Sequence, residues 1–207
     1  RGRLSEYAIN RIYPTVQGEG RMAGTAMTIV RLQSCPVACL WCDTPESWAL
    51  PEPWQAAAVV AAQVAGLPPR WALVTGGEPC WHALGMLTVE LQARGMKTAL
   101  ETSGVYRITG SWDWVTISPK PDGRLPLIEH NLYCADEVKW IVGRQRDLER
   151  LEAFLLATSA LRPPGRRAIS IQPVSTQAKA TALCLEAVMR HPEWRLSLQT
   201  HKLIGIA

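Results

Sequence analysis

A chain of 207 residues, 47% of them hydrophobic, is sized for one domain spanning 1–207 with a substantial core. Its net charge of +4 is modest, and its basic residues are scattered or interleaved with acids, as in R-Q-R-D-L-E-R at 144–150, which argues against nucleic-acid binding. There is no apolar run of about 18 residues and no signal-peptide core near the start, so the expectation is a soluble, cytoplasmic protein with no membrane contact.

In chain order, residues 7–13 alternate as a strand and lead into the polar, glycine-rich turn T-V-Q-G-E-G at 15–20. Ala26–Leu32 is an apolar strand with one charge, Arg31, whose guanidinium is able to take a carboxylate bidentately. A helix is expected at 54–65, closed by Gly66 and Pro68-Pro69, then a strand at 71–74 that runs into T-G-G-E-P. A helix at 84–93 follows, then strands at 97–100, entering E-T-S-G, and at 114–117, entering S-P-K. The remaining strands, at 137–142, 168–171 and 194–198, alternate with helices at 147–157 and 176–190. Alternation of this kind predicts a mainly parallel sheet. Polar motifs at successive strand ends are what a barrel-like active-site face requires. A complete eight-unit barrel takes about 250 residues, so an abbreviated, open (β/α)6-like partial barrel is expected here.

Between the second and third predicted strands lies C-P-V-A-C-L-W-C-D-T, with Cys35, Cys39 and Cys42 separated by three and then two residues. Thiolates at such spacing can converge from one loop on an iron-sulfur cluster or zinc, and three such thiols without an export signal fit a reduced compartment. A structural zinc takes four protein ligands, so three leave one position open for chemistry. Completion by Cys80 or His82 gives the alternative of a zinc-binding module with no catalysis. Cys184, on an apolar helix, reads as core, while Cys134, His130 and His191 lie in connections and need no role. Trp112, Trp114 and Trp194 fit strand or core positions.

The C-x3-C-x-W-C spacing resembles the loop of radical S-adenosylmethionine (SAM) enzymes, with Trp41 at the aromatic place, and T-G-G-E-P resembles their motif for the SAM amino group. In that superfamily three cysteines hold three irons of a 4Fe-4S cluster and SAM takes the fourth, which accounts for the missing ligand. T-V-Q-G-E-G, R-L-Q-S-C, C-D-T, T-G-G-E-P-C, E-T-S-G, S-P-K and W-R-L-S-L-Q-T-H-K together resemble the 7-carboxy-7-deazaguanine synthases over nearly the whole chain. Residues 46–70 and 122–135 carry no correspondence, Ser34 stands where the family pattern has Gly, and Val16 stands where Leu is common.

The resemblance implies a lyase that converts 6-carboxy-5,6,7,8-tetrahydropterin to 7-carboxy-7-deazaguanine with loss of ammonia, in queuosine and 7-deazapurine biosynthesis. It implies a 4Fe-4S cluster on Cys35, Cys39 and Cys42, SAM, and Mg2+ on the Thr44 hydroxyl. Trp41, Gly77, Glu78, Glu101, Ser118, Pro119, Lys120 and Gln172 are expected beside the cofactor. Val16, Gln17, Gly18, Arg31, Thr75, His201 and Ala207 are expected around the pterin, with Leu203, Ile204 and Ile206 packing the tail inward. The resemblance also implies a homodimer and a reducing partner such as flavodoxin. A radical SAM activase acting on a protein partner shares the loop and the G-G-E motif, but needs neither Thr44 nor a pterin-lining C-terminal segment.

Overall fold

The computed structural model describes residues 5–39, 42, 44–49, 54–121, 125–161, 167–175 and 177–206. Their strands are β1 (Glu6–Tyr7), β2 (Ile9–Val16), β3 (Ala26–Leu32), β4 (Gln55–Ala56), β5 (Trp71–Gly76), β6 (Lys97–Thr102), β7 (Trp114–Ile117), β8 (Glu137–Val142), β9 (Ala168–Pro173) and β10 (Trp194–Leu196). The α-helices are α1 (Ala57–Ala65), α2 (Gly85–Ala93), α3 (Gln145–Ala157), α4 (Ala178–Arg190) and α5 (Thr200–Ile204). Eight strands form one sheet in the order β10-β9-β8-β7-β6-β5-β3-β2. All neighbours are parallel except β2, which pairs antiparallel with β3 at the edge. The short β1 and β4 pair with each other.

Side chains alternate across a strand, so the register sorts them into two layers. On one face Ile29, Leu73, Ala99 and Trp114 are successive lateral partners, and the first three form a small cluster with Met27. The other face carries Val30, Val74, Leu100, Val115, Val138 and Ile171 into a larger core shared with the helices. Helices α1 to α4 each meet that core with one stripe. α1 buries Ala57, Val60, Ala61 and Val64, and α4 buries Ala180, Cys184 and Ala187, both at helical spacing. At the start of α3, Asp147 accepts hydrogen bonds from the Gly143 and Arg144 N–H groups, at 2.9 and 3.0 Å. It thereby satisfies donors that the first turn leaves open.

The sheet is curled. Laid flat, eight strands would hold β2 and β10 about 34 Å apart, at about 4.8 Å per interval. Instead the turn after β2 touches the segment after β10. The Thr200 N–H donates to the Gly18 carbonyl at 2.9 Å, and the Gly20 N–H donates to Ser197 Oγ at 2.8 Å. The small apolar cluster is therefore the interior of an open partial barrel, its upper rim bridged by the 17–20 turn.

Among the described residues, four of the six crossovers between parallel strands carry an α-helix, and β7–β8 holds a 3-10 turn at Glu129–Tyr133, as suits an abbreviated, open barrel. Two expectations are corrected. The last strand ends at Leu196, and Thr200-His201-Lys202 open helix α5, closed by Gly205 in the left-handed conformation at φ 70°. The tail is not an apolar plug, because Leu203 and Ile204 are 62% and 65% exposed. Polar bonds to the Gly18 carbonyl hold α5 instead. Among the described residues no helix is long and apolar enough to cross a membrane.

Candidate active site

The cysteine loop leaves the C-terminal end of β3, and its root is fixed from several sides. The Gly77 N–H donates to the Leu32 carbonyl at 3.0 Å and the Glu78 N–H to the Ser34 carbonyl at 2.9 Å. The Ser34 N–H donates to the Ser47 carbonyl at 2.8 Å. His82, buried, donates from Nε2 to the Gln33 carbonyl at 2.9 Å. Burial lowers the pKa of His82, partly offset by that carbonyl, so the ring is neutral at neutral pH. The paired glycines serve this packing. A Cβ on Gly76 would lie 2.2 Å from the Leu32 carbonyl oxygen, and one on Gly77 would lie 2.2 Å from that of Ser34 and 3.0 Å from the Cys35 Cβ. Ser34 has φ 82°, which explains physically why glycine is the residue expected there.

Cys35, Cys39 and Cys42 are free and half-buried. The Cys42 N–H donates to the Cys39 carbonyl at 3.1 Å, and the Thr44 N–H donates to Cys42 Sγ at 3.4 Å. Burial pushes the Cys35 and Cys39 thiols up in pKa, so a metal that takes them as thiolates must displace protons. Cys80 is buried beside Glu78 and His82 is turned to Gln33, so neither serves the loop as a fourth ligand. Among the described residues no three His, Cys, Asp or Glu side chains converge on one point, as a single zinc requires. Three thiols that each hold a different iron need no such convergence, and the donor set suits a cluster.

Glu78 is buried, and its carboxylate is turned inward. It accepts from the Cys80 N–H at 3.0 Å, Thr102 Oγ1 at 2.5 Å, the Ser103 N–H at 2.9 Å and the Ser103 hydroxyl. With both oxygens so engaged, the side chain braces the T-G-G-E-P turn against the E-T-S-G segment.

Around the rim, a second set of polar side chains comes together. Gln17 donates from Nε2 to Glu101 Oε1 at 2.8 Å. Lys139 Nζ donates to Glu101 Oε2 at 3.0 Å and to Glu19 Oε2 at 2.5 Å, and Gln199 donates to Glu19 Oε1 at 2.8 Å. Burial opposes ionisation of Glu19, but the Lys139 ammonium with hydrogen bonds from Lys139, Gln199 and Gln172 outweighs it and holds the carboxyl at about 2. Burial likewise opposes the charge on Lys139, yet the two carboxylates outweigh it and raise its pKa. Below them Glu137 accepts from the Arg21 N–H at 2.8 Å, Thr116 Oγ1 at 3.0 Å and the Ser170 hydroxyl.

Of the residues singled out from sequence, Gln17, Gly18, Glu101, Gln172 and His201 gather on this rim. A Cβ on Gly18 would lie 2.2 Å from His201 Nδ1, so the glycine makes room for the imidazole. Gln172 Oε1 accepts from Ser197 Oγ at 2.7 Å, and Arg31 lies beside Thr75 on the neighbouring strand. The Ser118 N–H donates to the Thr102 carbonyl at 2.8 Å, Lys120 Nζ donates to Ser118 Oγ at 2.9 Å, and Pro119 between them is buried. Val16 ends β2 and is exposed. Trp41 and Ala207 lie outside the described residues. Sequence reasoning did not single out Glu19, Lys139 or Glu137. The signal for Lys139 was present, since a lone cation in the strand E-V-K-W-I-V is the pattern that flags Arg31.

The same architecture occurs elsewhere. No protein-family model matches the chain. It is 38% identical to the 7-carboxy-7-deazaguanine synthase of Escherichia coli K12, covering 98% of this chain and all of that one. It is 36% identical to the enzyme of that name from Synechocystis, covering 97% and 93%. The crystal structure of QueE from Escherichia coli superposes with a TM-score of 0.82 at 35% identity, covering 93% of each chain. Near-complete coverage on both sides, together with the shared fold, places this chain in the 7-carboxy-7-deazaguanine synthase family of enzymes.

Proposed function

We infer that the chain converts 6-carboxy-5,6,7,8-tetrahydropterin to 7-carboxy-7-deazaguanine with loss of ammonia, using a 4Fe-4S cluster, SAM and Mg2+. The observation that carries this reading is the placement of a three-cysteine loop at the end of β3, with its root packed on Gly76-Gly77, on the same rim as the Gln17–Glu101–Lys139–Glu19 network. When bound, the cluster and SAM would supply radical hydrogen-abstraction chemistry.

The chain's own residues bind and orient. Cys35, Cys39 and Cys42 hold the cluster, with Trp41 beside it. Gly77 and Ser118-Pro119-Lys120 present backbone and polar atoms to SAM, and the Glu78 carboxylate keeps the G-G-E-P turn in place for that purpose. Val16, Gln17, Gly18, Arg31, Thr75, His201 and Ala207 line the pterin, where the Arg31 guanidinium suits its carboxylate. Glu101 bonds to Gln17 and Gln172 belongs to the group around Glu19, so both serve the pterin side as well as SAM. Thr44 offers one hydroxyl to Mg2+, a cation that keeps waters and substrate oxygens as its other ligands. Reduction by a flavodoxin-type donor and a homodimeric, cytoplasmic enzyme of queuosine biosynthesis belong to the same reading.

The test is incubation of the anaerobically reconstituted enzyme with the tetrahydropterin, SAM, reductant and Mg2+. The expected result is a stoichiometric deazaguanine product with release of ammonia. A fully loaded cluster that cleaves SAM yet yields no deazaguanine overturns the reading.

A further inference from the structure

Lys139 sits at the centre of the rim network, on the inner face of β8, with 5% of its side chain exposed. The two carboxylates it touches are more open, at 17% for Glu19 and 21% for Glu101. The ammonium thus lies behind and the carboxylates in front. Glu19 and Glu101 come from distant elements, the turn after β2 and strand β6, and among the described residues only neutral amides touch them besides Lys139: Gln17 accepts from the Glu19 N–H at 3.1 Å and donates to Glu101 Oε1, while Gln199 donates to Glu19 Oε1. Their Oε2 atoms are no more than about 5.5 Å apart, the sum of the two bonds to Nζ. Two anions that close in a half-buried place repel, and one of them takes a proton unless a cation stands between.

The other charged groups around Lys139 are identifiable. Glu137 precedes it by two residues on the same face and is held by Thr116, Ser170 and the Arg21 N–H. Lys120, after β7, is within electrostatic reach and opposes it. From β9 and the segment after β10, the neighbours Gln172 and Gln199 are neutral. Lys139 is therefore the cation in direct contact with both front carboxylates.

We propose that Lys139 is a positioning residue that keeps Glu19 and Glu101 both ionised and aimed at the bound pterin, so that they accept hydrogen bonds from its N–H groups. The proposal rests on the pterin reading above for the identity of the ligand, and on the geometry alone for the pairing. Without the ammonium, one carboxylate becomes a carboxylic acid near neutral pH, and a hydrogen-bond acceptor facing the substrate is lost.

The experiment compares Lys139→Met, Lys139→Arg and Lys139→Met/Glu19→Gln with the parent in the cluster-loaded enzyme. Melting is followed from pH 8 to pH 5.5, which requires no substrate. In Lys139→Met a folded-state carboxyl pKa is raised above its unfolded value, so stability is gained as pH falls, and its melting temperature should climb relative to the parent. The double variant has one carboxylate left and should follow the parent's pH trend, which keeps the test alive if Lys139→Met does not fold at pH 8. With 6-carboxy-5,6,7,8-tetrahydropterin, Lys139→Met should show a KM raised at least tenfold at pH 8 with a smaller change in kcat, and Lys139→Arg should recover most of it. A melting profile parallel to the parent in Lys139→Met, or an unchanged KM, overturns the proposal. A parent that fails to turn over the pterin counts against the substrate reading, and the melting comparison still judges the pairing.

Discussion

At Gly77 the constraint is a contact, not the residue's freedom to turn, because an added Cβ would meet the Ser34 carbonyl at 2.2 Å and the Cys35 Cβ at 3.0 Å. Gly77→Ala should displace the root of the cysteine loop and cost about 1–3 kcal/mol, as overpacking does. Iron and sulfide per chain after reconstitution should fall with it. Ser34 offers the reverse case, since φ 82° is a left-handed conformation that costs a non-glycine residue about 1–2 kcal/mol. Ser34→Gly should therefore leave stability unchanged or raise it by up to about 1 kcal/mol in a denaturant titration, after the greater chain entropy of glycine is set against the relief. Cysteines separate by location. Cys39→Ala should abolish SAM cleavage and lower cluster content. Cys184→Ala, in the core under α4, should cost stability alone, and burial there pushes the thiol pKa up to about 12, as expected of an inert core residue. A Cys39→Ala protein that keeps a full cluster and turns over SAM would show the ligand assignment to be wrong.

Among elements, α5 shows what polar anchoring can do where apolar packing is absent. Five residues make no stable helix alone. This one persists because Thr200 gives its N–H and hydroxyl to the Gly18 carbonyl and Gly205 closes the last turn. The His201 ring then rests against Gly18. Gly18→Ala should push the imidazole away, raising KM for the pterin severalfold while cluster content and the rate of SAM cleavage without substrate stay near those of the parent. An unaltered KM would remove α5 from the substrate site. The ends of β6 and β7 make a second point at this scale. Strands β6 and β7 are parallel neighbours, which brings E-T-S-G and S-P-K together on adjacent strand ends, where the Ser118 N–H reaches the Thr102 carbonyl.

For the whole molecule, the curled sheet makes stability depend on a charge bridge from the turn after β2 to strand β8. Glu19, in the turn after β2, has a folded pKa of about 2, below the ordinary carboxylate value, so its contribution is present above the unfolded pKa and lost as pH falls through the folded one. Melting curves of the parent should show this loss between about pH 5 and pH 2, and Glu19→Gln should flatten that part of the profile. An identical acid limb in the variant would place the loss elsewhere. Much of this molecule was legible in one dimension. Strand β3 was read to the residue, and the cysteine spacing, T-G-G-E-P and S-P-K sit at strand ends as the alternation implied, because periodicity and ligand spacing are local properties. What sequence alone left open depended on groups far apart in the chain. Glu78 bonds to Thr102 and Ser103, the paired glycines yield to Leu32 and Ser34, and Lys139 joins Glu19 to Glu101 across 120 and 38 residues. No window of sequence contains those partners. Only the curl of the sheet, which carries the turn after β2 onto the end of β10, decides that two glutamates share one buried ammonium.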